Sequence, residues 1–154
     1  MRALDSFAWI EYFKGSERGV KVREYVDGVE PLYTPSICLT EIKSKYLMEG
    51  RDPTERIKLI MERSLIIPID SEIALLAAEI KQKHGLHTVD AIICAATKQR
   101  KLTLVTGDKH FEKLPDIEND LAALEALKRY TYMGGISQAT TGEQPNSPTK
   151  LNKS

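Results

Sequence analysis

Short apolar runs alternate along this chain with stretches of helical spacing. Ala3-Leu4 ends at Asp5, and from Ser6 the residues Phe7, Ile10, Tyr12 and Phe13 follow a helical period until Gly15. A second helix is expected from Glu17 to about Val26, and Leu32-Tyr33 is a brief strand. Thr34-Pro35-Ser36 signals a helix start with proline suited to the first turn, and Ile37, Thr40, Glu41, Ser44 and Leu47 carry that helix to Gly50. Asp52-Pro53 opens another through Ile57, Ile60 and Met61. Leu65 to Ile69 reads as a buried strand. Ser71 is expected to cap a helix through Ile73, Leu76, Ala77 and Ile80 that ends at Gly85, and Thr88 to cap the next, from Val89 to about Gln99. Leu102-Thr103-Leu104-Val105 is a continuous strand, and Gly107-Asp108 turns it into a short helix through Phe111 and Leu114.

Strands alternating with helices in this way predict an α/β fold with a mainly parallel central sheet. One more helix is expected over Asp120 to Tyr132. From Gly134 the chain has almost nothing to bury, so residues 1–132 are expected to form the domain and 133–154 a disordered tail. A length of 154 residues suits one domain, and 42% hydrophobic residues suffice for a core. The formal net charge is zero, so a polyanion would have to be caught by a local basic patch. Cys38 and Cys94 each sit in an apolar helical stretch and read as small buried hydrophobes, with no disulfide framework or zinc spacing. No signal peptide is visible and the apolar runs are too short to cross a bilayer, so a soluble cytoplasmic protein without a membrane partner is expected.

Candidate chemistry centres on Asp5, Glu41, Asp90 and Asp108, which fall at predicted strand ends or helix starts. Each has a local explanation: Asp5 and Asp108 as helix caps, Asp90 as a first-turn acid favoured by the helix dipole, Glu41 as a solvated helix residue. Together they read differently. In a parallel α/β sheet the strand C-termini and the following helix N-termini share one rim, where ligands bind. Carboxylates gathered there repel one another, and the fold tolerates that if they hold a cation. Oxygen ligands without a His/Cys cluster select Mg²⁺ or Mn²⁺.

Leu4-Asp5-Ser6 before an apolar helix, the Thr40-Glu41 pair, Thr88-Val89-Asp90-Ala91-Ile92-Ile93-Cys94-Ala95-Ala96 and Leu104-Val105-Thr106-Gly107-Asp108-Lys109-His110-Phe111 together resemble the PIN-domain ribonucleases. The compact size is similar to the VapC type, the toxin half of a type II toxin–antitoxin pair. The resemblance spans roughly Arg2 to Leu114. It implies a three-layer α/β/α fold with a mainly parallel sheet, and an acidic quartet of Asp5, Glu41, Asp90 and Asp108 that ligates one or two Mg²⁺ or Mn²⁺ ions. Asp5 and Asp90 would be the main ligands. Asp108 would complete the set, directly or through water, and Glu41 would be a ligand or a proton acceptor. Ser6 and Thr106 match the family's small hydroxyl residues and would orient carboxylates or a water. The implied activity is endonucleolytic cleavage of RNA leaving a 5′-phosphate; the sequence itself does not separate RNA from DNA. A small antitoxin protein and a homodimer are implied partners. Where the family often carries a further acid, two residues after Asp108, this chain has His110. No final strand is evident after Pro115.

Substrate would meet Lys98, Arg100, Lys101, Lys109 and Lys113 near the last motif, and Lys43 and Lys45 near Glu41. Trp9 and Tyr12 read as core or interface residues rather than stacking platforms. His84 and His87 bracket Gly85 without partners at ligand spacing and read as loop residues. Three other functions fit less well. These are a PIN nuclease that processes RNA without an antitoxin, a PIN-like interaction module that has lost catalysis, and a receiver-type signalling domain. The last wants an acidic pair after the first strand, where this chain has Asp5-Ser6.

Overall fold

The computed structural model describes residues 1–111 and Leu114, all within the unit Met1–Ala123. The expected helix over 120–132, the expected tail and Lys113 lie outside the described residues. The elements run β1 Arg2–Leu4, α1 Ser6–Lys14, α2 Glu17–Val26, β2 Leu32–Pro35, α3 Ser36–Met48, α4 Thr54–Arg63, β3 Ser64–Ile67, α5 Ser71–His84, α6 Thr88–Gln99 and β4 Thr103–Val105, followed by a single 3-10 turn at Lys109–Phe111.

Among the described residues all strand pairs are parallel, in the order β3-β2-β1-β4. The chain therefore steps outward from β1 through β2 to β3, then crosses back to place β4 on the other side of β1. Such a reversal makes a topological switch point between β1 and β4, with a crevice at their carboxyl ends.

Strand alternation sorts the core into two layers. Ala3, Tyr33, Ile67 and Leu104 pack on one face with α5, α6 and the start of α3. Their neighbours Leu4, Leu32, Ile66 and Val105 pack on the other with α1, α2, α3 and α4. The sheet is thus covered on both faces, which is the expected three-layer α/β/α arrangement. Cys38 and Cys94 are free and buried, as expected. Trp9 is a fully buried core residue, while Tyr12 is partly buried against the same cluster. No helix among the described residues is long and apolar enough to cross a membrane.

A buried polar chain ties the sheet together beneath α1. Trp9 Nε1 donates to Thr34 Oγ1 at 3.0 Å, Thr34 and Ser64 hydroxyls meet at 2.8 Å, and Ser64 Oγ donates to Ile60 O at 2.8 Å. A carbonyl can only accept, so Ser64 uses its proton on Ile60 and Thr34 must donate to Ser64. Thr34 is therefore part of β2 rather than of the helix start: α3 begins after Pro35 with no side-chain cap.

Two other helix starts differ from expectation by one residue. Asp70, not Ser71, caps α5, its Oδ1 accepting from Ile73 N at 2.8 Å. Thr88 lies inside α6, whose N-cap is His87 without a capping hydrogen bond; the Thr88 hydroxyl accepts from Lys81 Nζ at 2.7 Å instead. The β3 strand ends at Ile67, since Pro68 has no N–H to continue the ladder. Gly15 and Gly85 adopt the left-handed conformation that ends α1 and α5 where the sequence predicted.

Candidate active site

Asp5 leaves β1 directly at the switch point. Its amide still donates to Val105 O at 3.4 Å, and its Oδ1 caps α1 by accepting from Ala8 N at 2.8 Å. Capping is thus a real role of this carboxylate, yet the group is buried, with 2% of its surface exposed. The Thr106 hydroxyl, just past β4, hydrogen-bonds the Asp5 carboxylate and accepts from Asp108 N at 3.0 Å. One hydroxyl therefore links the first acid to the backbone of the last.

Glu41 comes from the second turn of α3 and is half-buried. Ser6 Oγ donates to Glu41 Oε2 at 2.7 Å, so the start of α1 holds the α3 carboxylate. Asp90 lies in the first turn of α6. Asp108 caps the 3-10 turn through Oδ1, which accepts from His110 N at 3.0 Å. His110 Nδ1 stands 3.0 Å from Asp108 Oδ1 and 3.8 Å from Asp90 Oδ2, so this imidazole lies between two of the acids. The ring of His87 meets that of His110 edge to face at 5.6 Å.

These acids feel one another. Burial pushes the Asp5 carboxyl up to about 7, against the hydrogen bonds from Thr106 and Ala8, and the charges of Glu41 and Asp108 add to the rise. Burial also raises Glu41, opposed by Ser6 and reinforced by Asp90 and Asp108. Asp90 is raised by burial and by Asp108, with His110 and His87 acting the other way. The buried Cys38 thiol is held well above its ordinary value by burial and by Asp5 and Glu41, so it is neutral and inert.

The quartet is thus gathered at one rim and coupled through space. As the side chains stand, however, no group of three or more His, Cys, Asp or Glu among the described residues is close enough to enclose a metal ion. The donor chemistry still suits a hard cation: every member is a carboxylate, and Asp5, Glu41 and Asp90 are disfavoured as anions, first by burial and then by neighbouring acids. Mg²⁺ keeps several waters and binds through one or two carboxylates, which a loosely spaced set can supply.

The lysine and arginine candidates divide. Lys109 adjoins Asp108 and lines a cavity with the three histidines of the chain. Lys98 and Arg100 lie at the far end of α6, about 12 and 15 Å of helix rise from Asp90. Lys101 follows them. Lys43, two residues after Glu41 and hence on another side of α3, lines a groove with α4 residues Ile57, Lys58 and Met61. Lys45 pairs with Glu49 at 2.7 Å. The histidine cluster escaped the sequence reading because His84 and His87 are far in sequence from His110, and only the return of the chain along β4 brings them together.

The fold has solved counterparts. A toxin–antitoxin complex from Klebsiella pneumoniae contains a chain 23% identical, with a TM-score of 0.63 over 76% of this chain and 95% of that one. VapBC2 from Rickettsia felis, bound to a DNA fragment from its promoter, gives 16% identity and 0.63 over 77% and 96%. Mycobacterium tuberculosis VapC20, described as a toxin that cleaves the sarcin–ricin loop, gives 14% and 0.63 over 77% and 98%. No curated protein matches the chain. The family model for the PIN domain matches residues 3–117, a span that holds β1 from Ala3, every element from α1 through β4 and all four acids, and on this ground the chain belongs to the PIN-domain family.

Proposed function

We propose that this protein is a metal-dependent endoribonuclease, the toxin of a toxin–antitoxin pair, that cleaves RNA phosphodiester bonds at the Asp5–Glu41–Asp90–Asp108 rim. The observation that carries this reading is the electrostatic coupling of four carboxylates from four separate segments at the β1/β4 switch point. A protein gains no stability from that arrangement in the absence of a cation. Membership of the PIN family and the toxin–antitoxin setting of the neighbouring structures support the same reading.

Asp5 and Asp90 would be the principal ligands of one or two Mg²⁺ or Mn²⁺ ions, with Asp108 and Glu41 completing the set. The bound cation would supply charge neutralisation on the phosphate and a more acidic water for in-line attack. The chain's own groups then have distinct tasks. Ser6 fixes the orientation of Glu41, which would accept the proton of the attacking water. Thr106 fixes Asp5 and, through the Asp108 amide, the loop that carries the last acid. Lys109, next to Asp108 and lining the neighbouring cavity, would meet the phosphate backbone. An antitoxin would silence the rim by presenting a basic side chain to these acids, and a homodimer is the expected assembly.

The test is cleavage of a mixed RNA pool by purified, partner-free protein with Mg²⁺, with Mn²⁺ and with EDTA, beside Asp90→Asn. Cleavage that requires metal and is lost in the variant is expected. Equal cleavage by Asp90→Asn would remove the site from consideration. Absence of both cleavage and metal binding would favour a PIN-like interaction module instead.

A further inference from the structure

A cavity of about 470 Å³ opens beside the acidic rim, lined by His84, Gly85, Leu86, His87, Lys109, His110 and Leu114. It collects every histidine of the chain. Two of its walls come from unrelated parts of the sequence, the α5–α6 junction and the 3-10 turn after β4. The composition of the lining narrows what it can hold. Leu86 and Leu114 give an apolar base, the imidazoles give flat polarisable faces with ring nitrogens at their edges, and one lysine gives a cation.

Neither a bare ion nor a peptide carboxylate suits this lining. A hard cation of the kind the rim would take prefers oxygen ligands, and this lining has no carboxylate. An anion alone would sit beside Asp90 and Asp108, both within 4 Å of His110 Nδ1. A planar, uncharged, hydrogen-bonding ring suits it: His87 and His110 stand 76° apart, so that one face and one edge form a corner. Unstacked bases of single-stranded RNA are held in this way, stacked on an aromatic face and bonded along their edges.

We propose that this cavity is a nucleobase subsite, taking one unstacked base of the RNA strand next to the phosphate to be cleaved. The inference rests on the nuclease reading, and it assigns His87 and His110 to sequence preference. His110 faces the acids through Nδ1, so its remaining ring nitrogen is the atom open to a base edge. Lys109 is then placed for the neighbouring phosphate or a base carbonyl.

The experiment has two arms. In the first, the three imidazole signals of the full-length protein are followed by NMR in EDTA while each of the four nucleoside monophosphates, inorganic phosphate or a short single-stranded RNA is added. Shifts of the His84, His87 and His110 signals that differ between bases, and that the RNA produces at lower concentration than free nucleotides, are expected. No shift, or shifts that inorganic phosphate reproduces, would overturn the subsite. In the second arm, His87→Ala is compared with wild type on RNAs varied at the nucleotides flanking the cleaved bond. A change of at least tenfold in base preference at one flanking position is expected, while unchanged preference overturns the assignment. His87 makes no capping hydrogen bond, so its replacement removes none from α6. If wild type cleaves nothing, the nuclease reading fails, whereas the NMR arm still decides whether the cavity holds a base.

Discussion

Gly107 lies so close beneath the ring of Phe7 that a Cβ at this position would stand 2.4 Å from Phe7 Cε1. The contact presses the loop after β4 against the first turn of α1, and those two segments carry Asp108 and Asp5. Gly107 is thus needed for close approach.

Gly107→Ala should therefore force the ring or the loop aside and cost about 1–3 kcal/mol, the usual range for overpacking. Urea denaturation checks the stability. A Phe7→Leu change in the same background should recover part of the loss, because the two residues are in direct contact and their effects should not add. Additive losses would show that the contact does not couple the loop to α1.

Ser6→Ala should act on Glu41 without disturbing the fold. The hydroxyl opposes the upward push that burial gives the Glu41 carboxyl. Without it Glu41 ionises at higher pH, so the rising limb of the cleavage–pH profile should move upward and activity on that limb should fall. Ser6→Thr keeps the donor and should restore the profile. An unshifted profile in Ser6→Ala would separate Glu41 from the rate.

Stability in the absence of metal should fall as pH rises. Asp5 has a folded value of about 7 against 3.8 for an unperturbed carboxyl, so between those values the folded chain binds more protons than the unfolded one. The slope of unfolding free energy with pH is then negative: the contribution is complete below about pH 4 and is lost as pH climbs through 7. The loss is at most about 4 kcal/mol. Thermal melts in EDTA should therefore show a higher Tm at pH 5 than at pH 8, added Mg²⁺ or Mn²⁺ should narrow the gap, and Asp5→Asn should flatten it. A pH-independent Tm in EDTA would contradict the burial of a protonatable Asp5.

Trp9→Phe should cost about 1–3 kcal/mol, because it leaves Thr34 Oγ1 without its indole donor in a buried chain. Activity per folded molecule should be unchanged, since the Trp9 side chain bonds Thr34, and the Trp9 amide that donates to Asp5 O at 3.2 Å is kept in phenylalanine. Denaturant titration alongside a cleavage assay at saturating folded protein separates the two effects.

The alternation of apolar runs was enough to place nearly every described element, since the β-strands are short and α1 and α5 stop at Gly15 and Gly85. Helix starts were less legible. Asp70 and Ser71 both have the chemistry of a cap, and the backbone angles that decide between them depend on how β3 ends. Thr34 looked like part of a helix start, but its hydroxyl is used by Trp9 and Ser64, which are remote in sequence.

The residue types at positions 5, 41, 90 and 108 pointed to an acidic site, because their chemistry is a local property, as are the places of Asp5, Asp90 and Asp108 at element ends; Glu41 instead lies in the second turn of α3. Which groups support them was decided only by tertiary structure. The crossing of β4 to the far side of β1 puts Thr106 on Asp5, Ser6 reaches Glu41 across two helices, and His110 comes between Asp90 and Asp108. The same crossing separates Lys98 and Arg100 from the rim that their sequence position suggested, since a helix carries charge away along its axis at 1.5 Å per residue. Sequence fixes what each side chain can do. The chain's path through the sheet fixes which side chains meet, because that depends on contacts between segments that no local pattern encodes.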